Sequence, residues 1–207
     1  TQILFVPGIL LGGDIPLHAC PTSRSVSWFL EGILPLAPFG KEPLQVSFSG
    51  VTDGTNEVDA SCDYFKSTLF VLMEQFGIGS EHERDLLSLA PPSLRIVRRG
   101  AAPDGGGLIE LYCPNVRTEL KSIDYTDPGL IKRIRGSAIS TKLVSTSQTA
   151  RVAYAAKGIL HRLLPDVWIH TDAHTMTNHQ CGPSPSLSVV LTAVSTTGVV
   201  LTCECTR

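Results

Sequence analysis

Residues 98–107, Arg98-Arg99-Gly100-Ala101-Ala102-Pro103-Asp104-Gly105-Gly106-Gly107, set two guanidinium groups ahead of a proline turn and three consecutive glycines. Arginine forks grip phosphate oxygens, and glycine runs let backbone N–H groups converge on an anion, so phosphate binding is the first chemistry to test. The neighbours argue against it. A phosphate cradle opens a helix and carries a Lys and a Ser or Thr for the metal. Here the glycines enter a strand-like run, Leu108 to Cys113, and no G-x-x-x-x-G-K-[ST] occurs. The segment Phe39-Gly40-Lys41-Glu42-Pro43 fails for want of Ser or Thr after Lys41. By residue types alone, 98–107 reads as a hairpin turn.

Three other clusters carry reactive types. His170, His174, His179 and Cys181 fall within twelve residues. All are zinc-ligand types, but the spacing H-x3-H-x4-H-x-C lacks the tight ligand pairs of a structural zinc site, and the stretch reads as a solvated loop. No metal or other cofactor is expected. Asp53, Glu57, Asp59 and Asp63 crowd the start of a helix. They could hold a cation, but carboxylates are favoured at a helix N-terminus by its dipole, and capping is the expected role. Lys132, Arg133 and Arg135, with Arg95, Arg98 and Arg99 elsewhere, either clasp RNA phosphates or form a solvated strand face. No G-x-S-x-G, H-E-x-x-H or G-x-G-x-x-G is present, which removes the common hydrolase and dinucleotide readings.

The elements that must position these groups follow from periodicity. Val26, Phe29, Leu30, Ile33 and Leu34 predict a helix after an N-cap at Ser23 and before Pro35. Phe65, Leu69, Leu72, Met73 and Phe76 predict a second that stops at Gly77. Strands are expected over 44–50, 94–99 and 108–113, with a surface loop over 79–93. The first part thus reads β, α, β, α, β, β. A polar, proline-bearing stretch from Pro114 to Gly129 marks a boundary. Beyond it come a strand over 130–143, and a helix with Val152, Ala156, Ile159, Leu160, Leu163 and Leu164 on one face, ending before Pro165. A strand over 166–171, the histidine loop, and two strands joined by Thr196-Thr197-Gly198 complete the second unit. The order of elements predicts an α+β fold.

Composition sets limits. The chain has 207 residues, a net charge of −2 and 43% hydrophobic residues, so it can bury a sizeable core and no global basic field draws it onto nucleic acid. An RNA contact needs a local patch. The longest apolar stretch, Ile3 to Leu11, is broken by Pro7 and Gly8 and is far short of the ~20 residues a bilayer demands. No membrane partner is expected. Thr1 follows neither an initiator Met nor a charged segment, so no secretory leader is expected. The six cysteines are scattered and read as reduced thiols of a cytosolic or nuclear protein.

Arg99, Gly100, Pro103, Gly105, Gly106 and Gly107 fit, position for position, the R/H-G-x-x-P-x-G-G-G-x-[aliphatic] signature of the RNA 3′-terminal phosphate cyclase superfamily, which the chain resembles along essentially its whole length. The segments 7–13, 36–44, 50–59, 127–136, 163–172 and 195–198 join it in the family's order. The runs 24–31, 36–41 and 126–136 resemble the cyclase-like branch, which is regarded as having lost cyclase activity.

The resemblance implies an α+β fold of repeated βαβαββ units, like the C-terminal domain of a bacterial initiation factor, with helices packed on one face of the sheets and a smaller inserted α/β domain. Residues 1–118 would hold the end of the first repeat and the whole second, and 119–207 the insert. The implied function is that of a non-catalytic ribosome-biogenesis factor of the small-subunit processome, required for 18S ribosomal RNA maturation, in the nucleus and nucleolus. Its implied partners are a nucleolar ribosome-assembly GTPase, pre-ribosomal RNA and processome proteins. The alternatives are an ATP-dependent cyclase working through an adenylyl-histidine, and a pre-ribosomal RNA endonuclease. No catalytic residue carries over, because the family's nucleophilic histidine belongs to a repeat with no counterpart here. Arg98, Arg99, Lys132, Arg133 and Arg135 are the candidate RNA or partner contacts.

Overall fold

In the strand Leu44–Gly50 every second residue is buried, and the register places Leu44, Val46 and Phe48 beside Cys113, Leu111 and Ile109 on one face. That face is the floor of the first core. The computed structural model describes all residues of the chain except 1, 2, 5, 7, 56, 57, 80–89, 117, 118, 143 and 176–180. The order is β1 (Gly13–Ala19), α1 (Val26–Ile33), β2 (Leu44–Gly50), α2 (Cys62–Gln75), β3 (Ser93–Arg98) and β4 (Gly107–Cys113). Then follow β5 (Ile131–Lys142), α3 (Thr146–Leu160), β6 (Val167–Thr175), β7 (Ser186–Ser195) and β8 (Val200–Thr206).

The strands form two mixed four-stranded sheets, ordered β1-β2-β4-β3 and β6-β5-β7-β8. In each, one parallel pair (β1 with β2, β5 with β6) is joined by a helical crossover, and the remaining pairs are antiparallel. Val26 and Leu30 of α1 and Cys62, Phe65 and Met73 of α2 cover the apolar face of the first sheet. Opposite faces of the second sheet separate by alternation. Ser140 accepts a hydrogen bond from Thr149 of α3 on one side, while Asp172, Ser186 and Glu204 point toward the first unit on the other. The helix α2 is therefore a shared wall between the sheets, its N-cap Ser61 bonded to Glu204 and its Gln75 to the Gly198 carbonyl.

Several expectations shift. The N-cap of α1 is Ser25, not Ser23, because the Ser25 backbone is held by Asp59 and only from Val26 onward do the residues turn helical. Helix α3 ends at Leu160, and its sheet-facing side is Thr149, Val152, Ala153 and Ala156. Ile159 and Leu163, placed on the buried face from the sequence, are exposed: Leu163 lies beyond the end of the helix, and Ile159 stands in its last turn outside the sheet-facing side. A Ser145/Gln148 capping box starts this helix. Most of the expected 79–93 loop lies outside the described residues. Among the described residues, no helix is long and apolar enough to cross a membrane.

Candidate functional site

The signature segment sits where the two sheets meet. Strands β3 and β4 form the hairpin read from the glycines, closed by a bond from the Gly105 N–H to the Ala101 carbonyl at 2.8 Å. The Ala102–Pro103 peptide is cis, and Gly105 and Gly106 have φ of +67° and +78°. The hairpin's flank lies against residues 181–184 of the second unit. The Gly182 N–H donates to the Arg99 carbonyl at 2.6 Å, and a Cβ at Gly182 would stand 2.0 Å from the Gly105 carbonyl oxygen. Within the hairpin a Cβ at Gly100 would lie 2.2 Å from the Gly107 backbone nitrogen. The glycines thus serve backbone-to-backbone approach rather than anion binding.

Arg99 is 9% exposed and is the centre of this seam. Its Nη1 donates to Asp63 Oδ2 at 2.7 Å, and its Nη2 to Asp172 Oδ2 at 3.0 Å and Asp63 Oδ1 at 3.2 Å. Nε adds a bond to Asp172 Oδ2 at 3.2 Å. Asp63 stands in the first turn of α2, Arg99 just after β3 and Asp172 on β6, so one guanidinium fork ties three elements of two units. Burial works against the charge, but the hydrogen bond and charge of Asp63, with Asp172, hold the guanidinium above its usual range. For Asp172 burial pulls upward and is outweighed by Arg99 and by His174, whose Nε2 lies 3.0 Å away, so its carboxyl falls below the usual range.

Around this centre the contacts are polar and cross the seam. The Ser186 hydroxyl donates to Asp53, Ser184 donates to Asp104 Oδ2 at 2.9 Å, and the Asp104 N–H returns a bond to the Ser184 hydroxyl at 3.1 Å. Burial pushes the Asp53 carboxyl up, against the pull of the Ser186 hydroxyl and the Arg99 charge. Asp59 instead accepts from Arg24 Nε at 2.8 Å, the Ser25 N–H at 2.9 Å and Thr55 at 2.9 Å. The Arg24 hydrogen bond holds its carboxyl at about 2, despite burial. The expected capping role of this acidic group is corrected. Ser61 caps α2, accepting from the Tyr64 N–H at 3.1 Å, while Asp53, Asp59 and Asp63 tie segments together. Glu57 lies outside the described residues.

The remaining candidates scatter. His170 lies on strand β6 as the expected strand has it, and His174 lies on it too, not in a loop, because the parallel pairing with β5 continues to Thr175. His179 lies outside the described residues, and Cys181 packs at the seam in an isolated bridge with Arg99. Arg98 donates its Nε to the Gly106 carbonyl within the hairpin. Arg99, one of the candidate RNA or partner contacts, directs its donors to the carboxylates of Asp63 and Asp172. Arg135 bonds Asp166 at 2.8 and 3.1 Å, and Lys132 and Arg133 stay exposed at the start of β5. Burial pushes the Cys113 thiol up to about 12 and Cys62 well above its ordinary value, so neither is a ready nucleophile. A cavity of about 900 Å³ between α1 and β1 is lined mainly by apolar side chains such as Ile15, Phe29, Ile33 and Phe48. Sequence reasoning missed Asp63 and Asp172 as partners of Arg99. Asp63 in the acidic cluster and Asp172 at the end of the family-like segment 163–172 were the available signal, but pairing them with Arg99 needs the tertiary contact.

The geometry describes a charged clamp between the two sheets. Comparison with known proteins gives the same segments a lineage. Residues 126–207 match the family described as RNA 3′-terminal phosphate cyclase (RTC), insert domain. A human RNA 3′-terminal phosphate cyclase-like protein is 41% identical over 204 residues, 99% of this chain and 50% of the human one. A probable cyclase-like protein of Dictyostelium discoideum is 38% identical over 99% of this chain and 51% of its own. An rRNA processing protein of Schizosaccharomyces pombe is 37% identical over 96% of this chain and 50% of its own. The chain thus spans about half the length of the curated relatives it matches.

Proposed function

We propose, from the premise that this chain belongs to the RNA 3′-terminal phosphate cyclase family among its cyclase-like members, that it acts in ribosomal RNA processing without catalysing cyclisation. The observation that carries this reading is the seam. The signature arginine, the residue best suited to grip a phosphate, is buried between Asp63 and Asp172 and holds two units of the fold in register. A scaffold needs such rigidity, and a guanidinium engaged by two carboxylates has little left to offer a reacting phosphate. The name of the S. pombe relative, an rRNA processing protein, supports the direction of the assignment.

In finer terms, the protein is a non-catalytic assembly factor of the small-subunit processome, needed for 18S ribosomal RNA maturation in the nucleolus. Its partners are a nucleolar ribosome-assembly GTPase, pre-ribosomal RNA and neighbouring processome proteins, with residues 119–207 as an inserted domain. The test is adenylylation and sedimentation of the full-length protein that contains this chain. The expected result is no transfer of labelled AMP from ATP, together with co-sedimentation with large pre-ribosomal particles. Stable transfer of AMP to a histidine would overturn the reading in favour of the ATP-dependent cyclase.

A further inference from the structure

We propose that the pole of the second sheet remote from the seam is a binding platform for single-stranded RNA, with Trp168 as its stacking surface. The proposal deepens the reading above, and rests on it only for which RNA is met in the cell.

The topology assembles this pole. Strands β5 and β6 are parallel and α3 returns between them, so the end of α3 lies beside the starts of both strands. Lys157 of α3 is thereby brought to Trp168, and Lys132, Arg133 and Arg135 stand on the neighbouring strand. The charge is segregated. Lys132, Arg133 and Arg135 stand at the start of β5 and Lys157 near the end of α3, against the single acid Asp166 of residues 131–168, in a chain whose net charge is −2. Asp166 accepts from Arg135 at 2.8 and 3.1 Å, and that hydrogen bond, with the charges of Arg135, Arg133 and Lys132 adding, holds its carboxyl below the usual range. Arg135 is matched by Asp166, and the exposed Lys132 and Arg133 are left to meet phosphates.

Trp168 lies at the edge of the sheet and is 63% exposed, an unusual position for so large an apolar ring in a solvated surface. Its neighbour across the ladder is Arg135, and the Lys157 ammonium stands 5.8 Å from the ring centroid. An exposed indole with Lys157 beside it and Lys132 and Arg133 exposed on the neighbouring strand has the parts that single-strand binders use: the ring stacks a base and the cations follow the backbone. An acidic peptide would satisfy the cations but leave the indole without a partner. A duplex keeps its bases stacked inside and offers the indole none. The seam residues Asp172 and His174 lie farther along the same strand, four to six residues or roughly 13–20 Å away, so RNA at the pole need not disturb the clamp.

The chain contains two tryptophans, Trp28 and Trp168, so a Trp28→Phe background makes intrinsic fluorescence a direct report on the platform. Purified chain is titrated with a 12-nucleotide oligouridylate, with the matching RNA duplex, and with a polyglutamate peptide, at several salt concentrations. The expected result is quenching of Trp168 by the single strand, weaker binding of the duplex, and no quenching by polyglutamate. Trp168→Ala is expected to weaken single-strand binding roughly 5- to 150-fold, the range for removing one stacked base, while Trp168→Phe retains most of it. Lys132→Ala with Arg133→Ala is expected to flatten the logarithmic salt dependence by about 1.4, about 0.7 for each phosphate no longer neutralised. No binding up to about 100 µM at low salt, the weak end of non-specific affinities, would overturn the proposal. So would equal affinity for Trp168→Ala with a native melting curve, equal affinity for the duplex, or displacement of RNA by polyglutamate, which would assign the pole to an acidic protein. The readout is binding by the chain alone, so its failure is distinct from failure of the rRNA-processing reading, which the adenylylation and sedimentation experiments decide.

Discussion

Replacing Arg99 by Ala tests whether the signature arginine is a clamp. The guanidinium makes four hydrogen bonds of 2.7 to 3.2 Å, to Asp63 and Asp172, in a site where it is 9% exposed. Its removal leaves two carboxylates facing the seam without their cation, a change that costs about 3–5 kcal/mol for a fully buried pair. The Asp172 side chain is 34% exposed, so water reaches it and the lower end, about 3 kcal/mol, is expected. For a chain of this size that lowers the melting temperature by about 6–12 °C. Urea unfolding of wild type, Arg99→Ala, Asp172→Ala and the double variant measures the cost, and the double-mutant cycle isolates a coupling of about 1–3 kcal/mol. Arg99→Lys keeps the charge without the fork and is expected to recover only part of the loss. The folded fraction of Arg99→Ala should bind single-stranded RNA as wild type does. A loss below about 1 kcal/mol with zero coupling would refute the clamp, and RNA binding lost at unchanged stability would return Arg99 to the role of a phosphate contact.

Two further outcomes follow from the same geometry. Gly100→Ala drives a Cβ to 2.2 Å from the Gly107 nitrogen, backbone against backbone, and should cost roughly 3 kcal/mol or more, whereas Gly158→Ala in α3 meets nothing within 4 Å and should stabilise by about 1 kcal/mol; thermal melts of the pair check both signs. The Asp59 carboxyl, held at about 2 by Arg24, contributes stability that is fully present above the unfolded pKa near 4 and is lost as pH falls through the folded value; Asp59→Asn should therefore be less stable at neutral pH and flatter between about pH 4 and 2, and an unchanged acid limb in urea titrations would count against the pairing.

Much of the first unit was legible because its patterns are local. The alternation of 44–50 needs only a half-buried strand, and the stripe from Phe65 to Phe76 needs only one covered face. The third helix was less legible: a regular apolar spacing continued past the point where the chain turns, and Ile159 and Leu163 came out exposed. His174 was read as loop for a related reason, since polar residues at the end of a parallel pair carry no strand signal of their own. Corrected roles for Asp53, Asp59 and Asp63 came from partners 35 to 133 residues away, beyond the reach of any spacing rule.

The sequence by itself determined the elements, their order and the family, because periodicity and a motif of fixed backbone demands are written in neighbouring residues. Only the tertiary structure decided what the motif does. Whether a guanidinium faces solvent, a phosphate or two carboxylates depends on which distant segments fold against it. In this chain Asp63 from one unit and Asp172 from the other close on Arg99, while Lys157 and Arg135 stand beside the exposed Trp168 farther along the second sheet.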